Sequence, residues 1–113
     1  MRVFISYSTP DLAIVNQLAS QIRPHAEVYY WAEKNMPGQE VWPSIFGWID
    51  GADLFIVVIT GNTVRRAFAV GHEVGRAIAQ GKTIIPIVSG EISASELGCL
   101  GGIIHQPISS ILP

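Results

Sequence analysis

Residues 53–60 read DLFIVVIT, from Asp53 to Thr60, and no polar residue interrupts the run from Leu54 to Ile59. A strand that is wet on one face alternates apolar with polar side chains, so an unbroken apolar run of strand length is covered on both faces. The stretch predicts the central strand of a sheet with helices on either side.

Working outward, Arg2 to Tyr7 (RVFISY) and Ala26 to Trp31 (AEVYYW) read as β-branched and aromatic strands. Thr83 to Val88 (TIIPIV) is another buried strand, in which Pro86 removes a ladder donor and points to an edge or a bulge. Ile103 to Gln106 is a last short strand. Helices alternate with these strands. Ser8-Thr9-Pro10-Asp11 reads as a helix start with a hydroxyl cap, and Leu12, Val15, Leu18, Ala19 and Ile22 recur at helical spacing until Pro24. Val41 to Ile49 is a short helix with Trp42, Ile45 and Ile49 on one side. Gly61-Asn62-Thr63 reads as a turn, Arg66 to Gln80 as a third helix stopped by Gly81, and Ser93 to Leu100 as a short helical piece. The eight residues Glu33 to Glu40 (EKNMPGQE) form a loop around Pro37-Gly38, longer than a strand-to-helix connection needs. The alternation predicts one α/β domain over residues 1–113, a flavodoxin-like doubly wound five-stranded parallel sheet of order 2-1-3-4-5 flanked by helices. In such sheets ligands gather at the carboxyl ends of the strands, which here lead into residues 7–11, 33–40, 61–74 and 89–96.

Composition narrows the function. Only 14% of the 113 residues are charged and 49% are hydrophobic, with a net charge of −2. A packed core is within reach, and nucleic acid is not expected as a partner. The low charge suggests that part of the apolar excess faces another protomer. One cysteine, Cys99, and three scattered histidines make neither a disulfide framework nor a zinc site, and Cys99 reads as a small core residue. No apolar run is long enough to span a membrane and no signal segment opens the chain, so a soluble, cytoplasmic protein is expected.

Glycine-rich phosphate loops and the G-x-S-x-G elbow are missing, and the first strand ends in Ser6-Tyr7-Ser8 instead of the acids that a metal-dependent phospho-acceptor needs. What remains is Glu73, in Ala69-Val70-Gly71-His72-Glu73-Val74-Gly75-Arg76-Ala77. Helical spacing makes Val70, Val74 and Ile78 a buried stripe and stacks Ala69, Glu73 and Ala77 on a neighbouring face, where small side chains leave room for a planar ligand. The plainer alternative is a surface ion pair of Glu73 with Arg76 or Lys82. His72 is either an acid or hydrogen-bond donor beside Glu73 or simply exposed. Trp31, Trp42 and Trp48 read as core or as ligand-stacking residues, and residues 33–40 as a solvated turn or a lid.

Taken together these segments resemble the bacterial form of the Toll/interleukin-1 receptor (TIR) domain, from Val3 to about Gln106. Val3-Phe4-Ile5-Ser6-Tyr7-Ser8 with Asp11 is similar to the family's opening box, Pro37-Gly38 to the centre of its BB loop, and Asp53 to Thr60 to its central strand. The run from Val70 through Glu73 to Ala77, and then Gly81 to Ile87, resembles its third helix and fourth strand. The resemblance implies that Glu73 is the catalytic residue of an NAD+ glycohydrolase or cyclase, which releases nicotinamide and gives ADP-ribose or a cyclic ADP-ribose in antiviral defence or signalling. It implies no cofactor or metal, NAD+ being the substrate. Around the substrate it implies Tyr7 and Ser8, Trp31 and Lys34, Pro37 and Gly38, and Phe68 and Ala69. Where family members commonly carry Ser and an aromatic before the glutamate, this chain has Ala67 and Ala69, and Phe68 would supply the stacking ring. The implied partners are other TIR domains, through self-association, and a fused or separate sensor or effector domain. The chain stops at Pro113 without a closing helix, as an excised domain or one that relies on partners would. Two other readings compete: a TIR adaptor module that assembles without turnover, and a nucleoside deoxyribosyltransferase-like enzyme, which also uses a glutamate.

Overall fold

The computed structural model describes residues 1–34, 37–65, 67–90, 92 and 106–107, with the backbone alone at Lys34, Ala67, Phe68 and Pro107. Five parallel strands form one sheet in the order β2-β1-β3-β4-β5: β1 (Arg2–Ser6), β2 (Glu27–Tyr29), β3 (Leu54–Ile59), β4 (Thr83–Val88) and β5 (Gln106–Pro107). The expected topology is the observed one. The apolar run Leu54–Ile59 is the central strand, with Phe55 to Ile59 all buried.

Period-two alternation divides the core into two layers. Val3 and Ile5 of β1 and Ile56 and Val58 of β3 pack with Val15, Leu18 and Ala19 of α1 (Leu12–Ile22). On the opposite face, Phe4 of β1 and Phe55, Val57 and Ile59 of β3 pack under α3 (Val41–Asp50) and α5 (Ala67–Ala79). Ser6 is two residues beyond Phe4, so it points into this second layer.

The ends of the elements depart from expectation for local reasons. Ser8 is buried, but its hydroxyl caps nothing; a 3-10 turn over Thr9–Asp11 opens α1, and the Asp11 N–H donates to the Ser8 carbonyl at 2.8 Å. Gly61-Asn62-Thr63 is not a turn but the start of a short helix, α4 (Gly61–Arg65). Thr60 decides this: its Oγ1 accepts the Asn62 N–H at 3.1 Å while Thr63 Oγ1 accepts the Thr60 N–H at 3.0 Å, a reciprocal cap that outweighs the turn tendency of Gly and Asn. The expected loop over 33–40 begins inside another short helix, α2 (Trp31–Lys34). At its centre Gly38 has φ +81°, left-handed backbone that glycine adopts without steric cost. Pro86 sits on β4 ahead of the two residues that pair with β5, so no described strand needs its missing donor on that side. Gly81, φ +66°, closes α5: its N–H reaches the Ile78 carbonyl and that of Lys82 the Ala77 carbonyl, both at 3.0 Å. Cys99, the helical piece expected over 93–100 and residues 103–105 of the last expected strand lie outside the described residues.

Candidate functional site

The sheet order reverses at β1, which has β2 on one side and β3 on the other, and the site forms at this carboxyl end. The buried stripe of α5 is Val70, Glu73, Val74 and Ala77, at the i, i+3, i+4, i+7 spacing of a core-facing helix. Ile78, expected in that stripe, is 48% exposed, and Ala69 faces outward. The stripe is rotated by a fraction of a turn, and the rotation carries Glu73 into the core layer at 8% exposure.

There the Ser6 hydroxyl donates to Glu73 Oε1 at 2.5 Å. The ion pairs that would have made Glu73 an ordinary surface residue do not form. Arg76 binds Asp50, and Lys82 Nζ donates to the carbonyls of Asp50 and Ala52 at 2.7 and 2.9 Å. Burial pushes the Glu73 carboxyl up from 4.5 to about 7, opposed only in part by the Ser6 hydrogen bond. The carboxyl therefore holds its proton to a higher pH than an exposed glutamate does.

Glu73 opens into a cleft of about 190 Å³ lined by Phe4, Ile5, Tyr7, Thr9, Trp31, Val41, Trp42, Ile45 and Ala69. Of the residues expected around a substrate, the cleft brings Tyr7, Trp31 and Ala69 together with Glu73. Ser8 lines an adjoining hollow of about 180 Å³ that shares Tyr7, Thr9 and Ala69 with the first. Pro37 and Gly38 are exposed and line neither, and the side chains of Lys34 and Phe68 lie outside the described residues.

Aromatic contacts set the walls. Trp31 packs on Trp48 with centroids 5.9 Å apart, and Tyr7 meets Tyr30 edge-on at 6.1 Å while its hydroxyl accepts the Ala32 N–H at 3.3 Å. Desolvation keeps the Tyr7 phenol above its usual range, so it stays neutral. Trp42 rests on Phe46 at 5.7 Å and on His72 at 4.5 Å. His72 is exposed, stacks on Phe46 as well, and is not a lining residue of the cleft; it braces a wall instead of serving Glu73.

Sequence reasoning passed over Ser6, Thr9 and Val41 and left Trp42 between core and ligand. Ser6 could have been found from the strand's alternation, since Phe4 and Ser6 share a face and that face needs a partner on a helix. A polar clasp below the site was also missed. Buried Asp11 accepts from Thr60 Oγ1 at 2.7 Å and Asn62 Nδ2 at 2.8 Å, tying the loop after β1 to the cap of α4.

The family model for the TIR domain matches residues 3–106. Among solved structures, the chain superimposes on the TIR domain of the Toll-related receptor TRR-2 from Hydra magnipapillata with a TM-score of 0.76 at 18% identity, covering 93% of this chain and 82% of that one. The TIR domains of the activated Roq1 resistosome that recognizes the pathogen effector XopQ give 0.75 at 14% identity, over 89% of this chain and 64% of that one. A prokaryotic SEFIR domain gives 0.59 at 23%, over 81% and 70%. At such identities the likeness shows the fold alone. No curated protein sequence matches the chain.

Proposed function

Because the chain belongs to the TIR domain family, we propose that it cleaves the nicotinamide–ribosyl bond of NAD+, with Glu73 as the catalytic carboxylate. One observation carries this reading: a buried glutamate that faces an aromatic cleft and has a hydroxyl, not a cation, as its hydrogen-bond partner among the described residues. A carboxylate so placed lacks a countercharge, and a cationic pyridinium with its ribose provides one.

Nicotinamide leaves as a neutral molecule, taking the electron pair of the bond to the anomeric carbon, so no general acid is required. The charge left on the ribose is oxocarbenium-like, and Glu73 stabilises it while accepting hydrogen bonds from the ribose hydroxyls. Water then adds at the anomeric carbon and releases a proton, giving ADP-ribose; attack from within the same molecule gives a cyclic product. Trp31, Trp42 and Tyr7 supply flat faces to the departing ring, which is held by cation–π attraction until it becomes neutral.

The cleft of about 190 Å³ is smaller than the roughly 300–1,000 Å³ of a site that buries a whole drug-sized ligand. It therefore takes the nicotinamide-riboside end, and the rest of the dinucleotide crosses its lip. Self-association completes the site: the exposed Pro37-Gly38 turn of a neighbouring protomer covers that lip. The likeness to TIR domains of an assembled resistosome supports this, as do the exposed side chains of Val41, Val64 and Ile78. The protein acts in the cytoplasm, in antiviral defence or signalling. Among the described residues no helix is long and apolar enough to cross a membrane.

The test is a proton NMR time course of NAD+ with the purified domain at high concentration. Free nicotinamide should accumulate. If none appears at any concentration, the chain is a TIR adaptor that works by assembly alone.

A further inference from the structure

Ser6 ends β1, a strand paired on both sides. It is 1% exposed, it pairs with Val57 of β3, and it lies on the face of the sheet that packs under α5. An apolar pair at positions 6 and 73 would continue that core. Instead the structure buries a hydroxyl and a carboxyl and joins them by a 2.5 Å hydrogen bond. The bond engages Oε1 of Glu73, while Oε2 accepts none among the described residues and is left for the cleft.

We propose that Ser6 is the positioning residue of this site: its hydroxyl fixes the Glu73 side chain so that Oε2 faces the ribose of the bound ligand. The proposal rests on the reading of Glu73 as the working carboxylate. Among the described residues the Ser6 hydroxyl is the group hydrogen-bonded to the Glu73 carboxyl. Tyr7 is the other ionisable side chain in the cleft; its oxygen accepts the Ala32 N–H, and the hydrogen bond that Glu73 receives comes from Ser6. From α3 come Trp42 and Ile45, and neither is hydrogen-bonded to Glu73 among the described residues. Arg76 and Lys82 are engaged at Asp50 and Ala52, and His72 lies edge-on to Trp42 and stacks on Phe46. Because the hydroxyl donates to the charged form, it also favours ionisation of Glu73 against the opposing effect of burial.

The experiment compares wild type, Ser6→Ala and Ser6→Thr by two readouts. The first is the titration of the Glu73 side-chain carboxyl, followed in protein labelled with carbon-13 glutamate and assigned with Glu73→Gln. The second is steady-state NAD+ cleavage as a function of pH. Ser6→Ala should move the Glu73 midpoint upward and lower kcat by about tenfold or more, the worth of one hydrogen bond to a charged group, with KM little changed. The alkaline shift should appear in the pH profile too, and Ser6→Thr, which keeps the hydroxyl, should restore both. If Ser6→Ala fails to fold, Ser6→Cys, close in size and a weak donor, makes the same comparison. An unmoved Glu73 titration, or a wild-type kcat and pH profile in Ser6→Ala, overturns the proposal. If wild type itself leaves NAD+ intact, it is the enzyme reading that fails, and the titration alone decides whether Ser6 governs Glu73.

Discussion

Arg76 stands three residues after Glu73 on α5, yet its guanidinium goes to Asp50 at the end of α3, with Nε and Nη2 at 2.9 and 2.6 Å from the two carboxylate oxygens. The pair holds Asp50 below the usual carboxylate range and leaves Glu73 without a cation. Arg76→Gln should therefore leave the Glu73 titration where it is. The thermal midpoint should fall only slightly, because the pair is exposed and solvent-screened. An upward move of the Glu73 midpoint in Arg76→Gln would restore the surface ion-pair reading.

Burial of Glu73 predicts a pH-dependent stability with a definite sign. The folded carboxyl titrates at about 7 and the unfolded one near 4.5, so between these values the unfolded chain gives up a proton that the fold retains. Stability falls as pH rises through that window and is flat above it, a loss on the order of 3 kcal/mol from this one group. Glu73→Gln cannot ionise and escapes the loss. Its thermal midpoint should exceed that of wild type by several degrees at pH 8 and match it at pH 4. Equal midpoints at both pH values would mean that the carboxyl is not desolvated.

The clasp around Asp11 makes the opposite kind of prediction. Asp11→Ala leaves the Thr60 hydroxyl and the Asn62 amide without their buried acceptor. The expected destabilisation is about 3 kcal/mol, read as a lower midpoint in urea with an unchanged slope. A loss well under 1 kcal/mol would show that water replaces the carboxylate.

At Gly38 the left-handed backbone, not space, is limiting: an added Cβ would meet nothing within 4 Å, while φ is +81°. Gly38→Val should distort the turn at a local cost of about 1–2 kcal/mol without unfolding the domain. If the turn completes a neighbour's cleft, turnover falls far more than the drop of several degrees in thermal midpoint that this cost implies. In wild type, specific activity should then rise with protein concentration. Constant specific activity over about a hundredfold dilution contradicts that role.

Much of this could be read from the chain. The unbroken run Leu54–Ile59 gave the centre of the sheet because burial on both faces leaves a direct mark on composition. Glu73 stood out because it lies among small residues on a helix. Its burial was not legible. Val70 and Val74 are compatible with several rotations of α5, and only the packing against β1 and β3 selects the one that turns Glu73 inward and Ile78 outward. Ser6 was hidden for the same reason, since its partner is 67 residues away. The cap that makes residues 61–65 helical was masked by residues whose local preference is for turns. Trp42 gave no sign of its role because an aromatic at helical spacing looks the same in a core and in a cleft wall.

The most direct measurement is nicotinamide release from NAD+ by wild type and Glu73→Gln, side by side at pH 8, where wild-type Glu73 is ionised. The substitution keeps the size of the side chain and an acceptor for Ser6 but removes the charge that faces the ribose. Wild type should release nicotinamide, and Glu73→Gln should be slower by about 100- to 1,000-fold, the usual loss on removing one preorganised electrostatic group, although it is the more stable protein. Wild-type rates from Glu73→Gln would contradict the account.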